Sequence, residues 1–110
     1  DLSEDDQRVM QPRFAQENID QNIEKLGVLE EVAKEKGFKP AQVAIAWVLQ
    51  QDENLVPIPG TKRTKYLNEN MRAVDLTLEK NDLDRLSDVF AIGETAGTRY
   101  PAGHMKLLGV

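Results

Sequence analysis

A chain of 110 residues, 40% hydrophobic and 30% charged with a net charge of −5, has the composition of an ordinary soluble domain with a modest core. The acidic balance excludes the broad basic face that a nucleic-acid partner requires, and the absence of cysteine excludes disulfides, thiolate metal ligands and a cysteine nucleophile. No apolar run approaches the ~20 residues of a membrane helix, so neither nucleic acid nor membrane is expected as a partner, and a reducing, cytoplasmic setting is compatible.

Residues 1–17 read as a loop, acidic at first and then interrupted by Pro12. The start lacks an initiator Met and any leader pattern, which fits the later part of a longer protein. From Asn18, a plausible N-cap, apolar residues recur at three- and four-residue steps: Ile19, Ile23, Leu26, Val28 or Leu29, Val32 and Ala33. Gly37, after Lys34 and Lys36, predicts the C-cap of this first helix. Pro40 opens a second helix, at a position where its missing N–H costs nothing. Val43, Ala44, Trp47 and Val48 form one face of it, but Ile45, Ala46 and Leu49 extend the apolar surface nearly all round. Such a helix needs cover on most sides. Trp47 is therefore expected in a core.

Residues 54–59 form an apolar run without alternation, as in a strand buried on both faces of a parallel sheet. Pro57 and Pro59 remove ladder donors, so pairing is expected to fade toward Gly60. A third helix is predicted over 64–73 with Leu67, Met71 and Val74 facing inward, and a fourth over 80–90 with Leu83, Leu86, Val89 and Phe90 as its stripe. Residues 91–110, with Gly93, Gly97, Pro101, Gly103 and Gly109, read as a tail without regular structure. A lone strand leaves its backbone groups unsatisfied. It must pair with a second copy or with the rest of a larger α/β protein.

The chemistry concentrates between the strand and the third helix. No carboxylate lies between Asn54 and Asn68, although Asp and Glu outnumber Lys and Arg by 19 to 14 in the chain. Gly60 allows close backbone approach, Thr61 offers a hydroxyl, and Lys62, Arg63 and Lys65 supply charge at a helix start. This is how an anion site is built at the carboxyl end of a strand. Spacing alone fits equally a solvated helix start with exposed cations.

The run VPIPGTKR followed by Leu67-Asn68-Glu69-Asn70 resembles the cofactor-binding segment of the aldo-keto reductases, NADP(H)-dependent oxidoreductases. The likeness extends to Pro12-Arg13-Phe14, Glu17-Asn18, the stretch 33–49, and Gly97-Thr98-Arg99-Tyr100-Pro101, so it covers nearly all of residues 12–110. It implies an α/β fold in which these residues are the C-terminal part of a (β/α)8 TIM barrel, themselves mostly helical with one strand. It also implies NADP(H) as cofactor, a small-molecule aldehyde or ketone as substrate, and Ile58, Gly60, Thr61, Lys62, Arg63, Glu69 and Asn70 as cofactor-binding residues. In the family the 2′-phosphate lies on the loop after the strand. A carboxylate and an amide about two turns on, Glu69 and Asn70, are suited to the adenine edge, since Asn pairs with its N6/N7 face and Glu accepts from an amino group. Many members place an Arg three residues before that Glu, where this chain has Tyr66. The family's catalytic Asp, Tyr, Lys and His set has no match here. Tyr66 and Tyr100 read as packing or surface residues, and His104 as an exposed tail residue without metal partners. Catalysis is thus expected upstream, from the remainder of the barrel. The alternative is an inactive helical module that self-associates through its apolar surface.

Overall fold

The computed structural model describes residues 2–108, which form two compact units, residues 2–26 with 90–108 and residues 27–89. Five α-helices occur among the described residues: α1 (Gln16–Lys36), α2 (Pro40–Leu49), α3 (Thr64–Met71), α4 (Lys80–Val89) and the short α5 (Ala102–Met105). Three 3-10 turns accompany them, at Gln7–Met10, Pro12–Phe14 and Arg72–Asp75. The reading of 1–17 and 91–110 as lacking regular structure is corrected by the first two turns and by α5.

In the unit of residues 27–89 the core is formed by Leu29, Val32, Ala33, Val43, Ala46, Ala73, Leu76, Leu78 and Leu86. These are the apolar positions of α1, α2 and α4 together with the segment that follows α3. Gly37 at φ +71 ends α1, in the left-handed region a glycine adopts without cost. Trp47 is half-buried and donates its indole N–H to Ser87 Oγ at 3.2 Å, joining α2 to α4. Arg85 reaches Glu31 and Glu35, both at 3.1 Å, joining α4 to α1. All three partners are solvent-accessible, so this contributes about 1 kcal/mol or less per pair.

α2 and α4 start alike. In each, the side chain three positions in reaches back to the N–H of the residue before the helix: Gln42 Oε1 accepts from Lys39, and Asp82 Oδ2 from Glu79 at 3.0 Å. Asp82 also takes the Lys36 ammonium at 2.8 Å with its side chain 5% exposed. Burial pushes the Asp82 carboxyl up, but Lys36 and the Glu79 N–H outweigh it and hold the group below its usual value of 3.8. A depressed carboxyl stabilises the fold above its unfolded value and ceases to do so as pH falls through the lower folded value. Unfolding stability should therefore fall below about pH 4, and Asp82→Asn should cost about 1–2 kcal/mol at pH 7 while flattening that acid limb. Urea titrations at pH 7 and pH 3 check both; an acid limb as steep in the variant would assign it to other groups.

The unit of residues 1–26 and 90–108 is held by polar ties. Asn22 clasps Ala96 at both ends, Nδ2 donating to its carbonyl at 3.1 Å and Oδ1 accepting its N–H at 2.9 Å. Arg13 Nε donates to Gly97 O at 3.2 Å, and Lys25 donates to the Glu94 carbonyl. Asn18 is not the predicted N-cap: it lies inside α1, and its Nδ2 donates to Pro12 O at 2.8 Å. Ile23 is 58% exposed, so the predicted apolar stripe of α1 is buried only from Leu29 onward.

Two further expectations are corrected. Residues 54–59 form no strand, and no strand occurs among the described residues. A ladder needs a second strand to exchange backbone bonds, and none of the other segments is extended long enough to serve. Leu67, Met71 and Val74 do not face inward: they are 47%, 63% and 73% exposed. They join Val56 and Ile58, 81% and 92% exposed, along an open apolar groove of about 480 Å3 that also includes Ile45 and Leu49. α3 itself is shorter than predicted and ends at Met71 in the 3-10 turn.

Candidate functional site

The segment 55–61 has no regular structure, and α3 starts three residues after Thr61. Pro57, Pro59 and Gly60 explain the first fact locally, since prolines donate no backbone bond and glycine carries no side chain to pack. Arg63 stands before α3 in extended conformation (φ −127, ψ 136), and its carbonyl accepts from Tyr66 and Leu67. No side chain caps this helix start. Its leading N–H groups and the positive end of its dipole are thus available to an anion.

Gly60, Thr61, Lys62, Arg63 and Lys65 are all exposed. Thr61 Oγ1 donates to Arg63 O at 3.3 Å, a long bond that a better acceptor would displace. Among the described residues, Lys62, Arg63 and Lys65 make no ion pair, nor do Arg13, Lys34, Arg72, Arg99 and Lys106, whereas Lys25, Lys36, Lys39, Lys80, Arg8 and Arg85 do. Lys65 lies over the Tyr66 ring, 6.0 Å from its centre. Tyr66 is 46% exposed, which fits a surface role.

The other predicted site residues separate. Ile58 and Asn70 line the apolar groove. Glu69 lies on a different side of α3, in a polar cleft of about 380 Å3 with Phe38, Lys39, Gln42, Lys65, Asn68 and Arg72. Its carboxylate is ion-paired with Lys39, and its side chain is only 18% exposed. Arg72 lies over the Phe38 ring at 5.9 Å. Residues 60–63 line neither concavity. The cleft residues Lys39, Gln42 and Arg72 escaped the sequence reading. One signal was available for Gln42: its place three residues after the residue that precedes Pro40, which is the capping-box spacing.

Three cations without an ion pair, a hydroxyl, a glycine and an uncapped helix start thus lie within residues 60–65, with Lys65 also bordering the Glu69 cleft. They suit a compact anion of the phosphate type. No group of three or more metal-ligating side chains occurs among the described residues, and no helix there is long and apolar enough to cross a membrane.

Residues 1–90 match the aldo/keto reductase family. The chain belongs to the aldo/keto reductase family. It is 45% identical over 92 residues to the Glycine max protein named "Probable aldo-keto reductase 1", which covers 84% of this chain and 27% of that relative. It is 37% identical over 103 residues to aldo-keto reductase yakc of Schizosaccharomyces pombe, whose name specifies NADP(+), covering 94% of this chain and 30% of the relative. The chain therefore spans less than a third of the length of these curated family members. No solved structure matches it significantly. Aldo/keto reductase membership implies a TIM-barrel architecture, of which this mostly helical chain represents a part.

Proposed function

We propose that this chain supplies the cofactor-phosphate grip of an NADP(H)-dependent carbonyl reductase barrel. The observation that carries the reading is the loop at 60–65, where Lys62, Arg63 and Lys65 stand exposed and unpaired at the uncapped start of α3. The 2′-phosphate is held by Lys62, Arg63, the Thr61 hydroxyl and the first N–H groups of α3, with Gly60 admitting the phosphate close to the backbone. Asn70 and Glu69 face the adenine, and for Glu69 this requires exchange with Lys39. Ile58 lines the approach. Bound NADPH supplies the hydride for reduction of an aldehyde or ketone carbonyl. The residues that position and protonate that carbonyl lie outside these 110, in the remainder of the barrel.

Residues 54–59 act as the eighth strand of that barrel once neighbouring strands are present. Exposed Val56 and Ile58 support this, since they are suited to burial on two faces. The same exposed groove favours a second reading, a helical module that self-associates through Ile45, Val56, Ile58, Met71 and Val74.

Three measurements separate them. Residues 1–110 made alone should bind 2′,5′-ADP more tightly than 5′-AMP and show no carbonyl reductase turnover, because no proton donor of the family type is present and no barrel positions substrate. Equal affinity for the two nucleotides rejects the phosphate site. Aldehyde turnover by the purified chain would show that the catalytic half has been misplaced. A defined oligomer in size-exclusion chromatography, without nucleotide binding, favours the second reading.

A further inference from the structure

Gln42 is the polar side chain that ties α2 to the cofactor helix. It is 4% exposed, and its carboxamide is used at both ends: Oε1 accepts the Lys39 N–H at 2.9 Å, and Nε2 donates to the Glu69 carbonyl at 2.7 Å. The first bond caps α2. The second anchors the last turn of α3, where the carbonyls lack helical partners. Eight residues further on, at the C-cap of α2, the device recurs. Gln50 Oε1 accepts the Leu78 N–H at 3.0 Å, and Nε2 donates to Leu76 O at 3.1 Å. Gln42 inside α2 and Gln50 at its C-cap thus hold the chain on either side of the Arg72–Asp75 turn.

Among the described residues, the other buried anchor is Ala73, in the 3-10 turn that directly follows α3. No residue of α3 is buried, and Leu67 and Met71 face the open groove. Its hold on the rest of residues 27–89 rests on Gln42, on the Lys39–Glu69 ion pair and on buried Ala73 just beyond it. We propose that Gln42 is a positioning residue for cofactor binding: it sets the position of α3, and through it where the helix start at Arg63 and the Glu69-Asn70 pair are presented. This rests on the cofactor reading above, but its structural half is independent of any ligand.

Gln42→Glu separates the two bonds. A carboxylate still accepts the Lys39 N–H, as the acidic member of a capping box does, but has no hydrogen to donate to Glu69 O. On protonation it becomes isosteric with the amide and regains a donor. The charged groups around this position are Lys39, Glu69, Lys65 and Arg72. Burial and Glu69 raise the pKa of the introduced carboxyl, and the cations lower it.

At neutral pH, hydrogen-exchange protection of the Leu67–Met71 amides in Gln42→Glu should fall about tenfold, with α2 little changed, and NADPH affinity should fall about three- to tenfold, equivalent to one hydrogen bond. As pH is lowered, both deficits relative to wild type should shrink. A general loss of packing would not recover on acidification. Unchanged α3 protection, or a deficit independent of pH, overturns the clamp. Should the variant fail to fold at neutral pH, refolding on acidification supports the clamp and failure to refold overturns it. If wild type does not prefer NADPH to NADH, the cofactor reading falls, and α3 protection still decides the clamp.

Discussion

Arg63→Ala in the NADP(H)-binding protein is expected to weaken NADPH by about tenfold or more and to leave NADH within about twofold, since a charge-assisted contact is worth about 1.5–3 kcal/mol and about 1.4 kcal/mol is a factor of ten. The asymmetry is the informative part. Only NADPH carries the 2′-phosphate, so a contact with that group cannot affect NADH. Arg63 is solvent-exposed, so the NADPH penalty should shrink as salt is raised. Lys62→Ala, measured beside it, apportions the charge that many family members share with an Arg at the position of Tyr66. Fluorescence titration of both nucleotides at two salt concentrations gives the answer. Equal losses for NADPH and NADH would reject the assignment and return residues 60–65 to a solvated helix start.

Gly97→Ala is expected to cost about 2–5 kcal/mol, combining a left-handed backbone of about 1–2 kcal/mol with overpacking of about 1–3 kcal/mol. Gly97 has φ +78, and a Cβ there would lie 2.7 Å from Asn18 Nδ2 and 2.9 Å from Arg13 N and Cα. The Arg13 backbone cannot yield without disturbing the turn at Pro12–Phe14. The methyl must therefore push residues 96–97 off α1, breaking the Asn22 clasp on Ala96 and the Arg13 bond to Gly97 O. Gly93 provides the control. Its φ is +94, but a Cβ there meets nothing within 4 Å, so Gly93→Ala should show only the backbone cost of about 1–2 kcal/mol. Urea denaturation with hydrogen exchange at the Ala96 amide reads both variants. Equal costs would remove the steric part of the account.

The proposed anion loop was legible because its ingredients are contiguous. A run without carboxylates, a glycine, a hydroxyl and three cations before a helical stripe are visible without any tertiary information. The structure kept those cations unpaired and exposed. Glu69 was different. Its neighbour Lys39 is thirty residues away in sequence, and nothing local announces that α2 presents a cation to this face of α3. Gln50 escaped for the same reason, since the segment that needs its two bonds lies 26 and 28 residues away, and for Gln42 the capping-box spacing announces the bond to Lys39 but not the one to Glu69.

Sequence alone determined the order and approximate bounds of α1 to α4. Helical periodicity, Pro40 at a helix start and Gly37 at a helix end act within a few residues, and local physics decides them. It also read residues 54–59 as an extended apolar run, with Pro57 and Pro59 weakening any pairing. Whether they are a strand was not a local matter. A strand exists only through a partner's backbone, and among the described residues there is none, so the same apolar run that predicts two-sided burial stands 81% exposed at Val56 and 92% at Ile58. The tertiary structure decided which apolar residues are core, putting Ala73, Leu76 and Leu78 inside and Leu67, Met71 and Val74 outside. Periodicity defines a helix face but not what covers it, and the cover depends on which other elements are present.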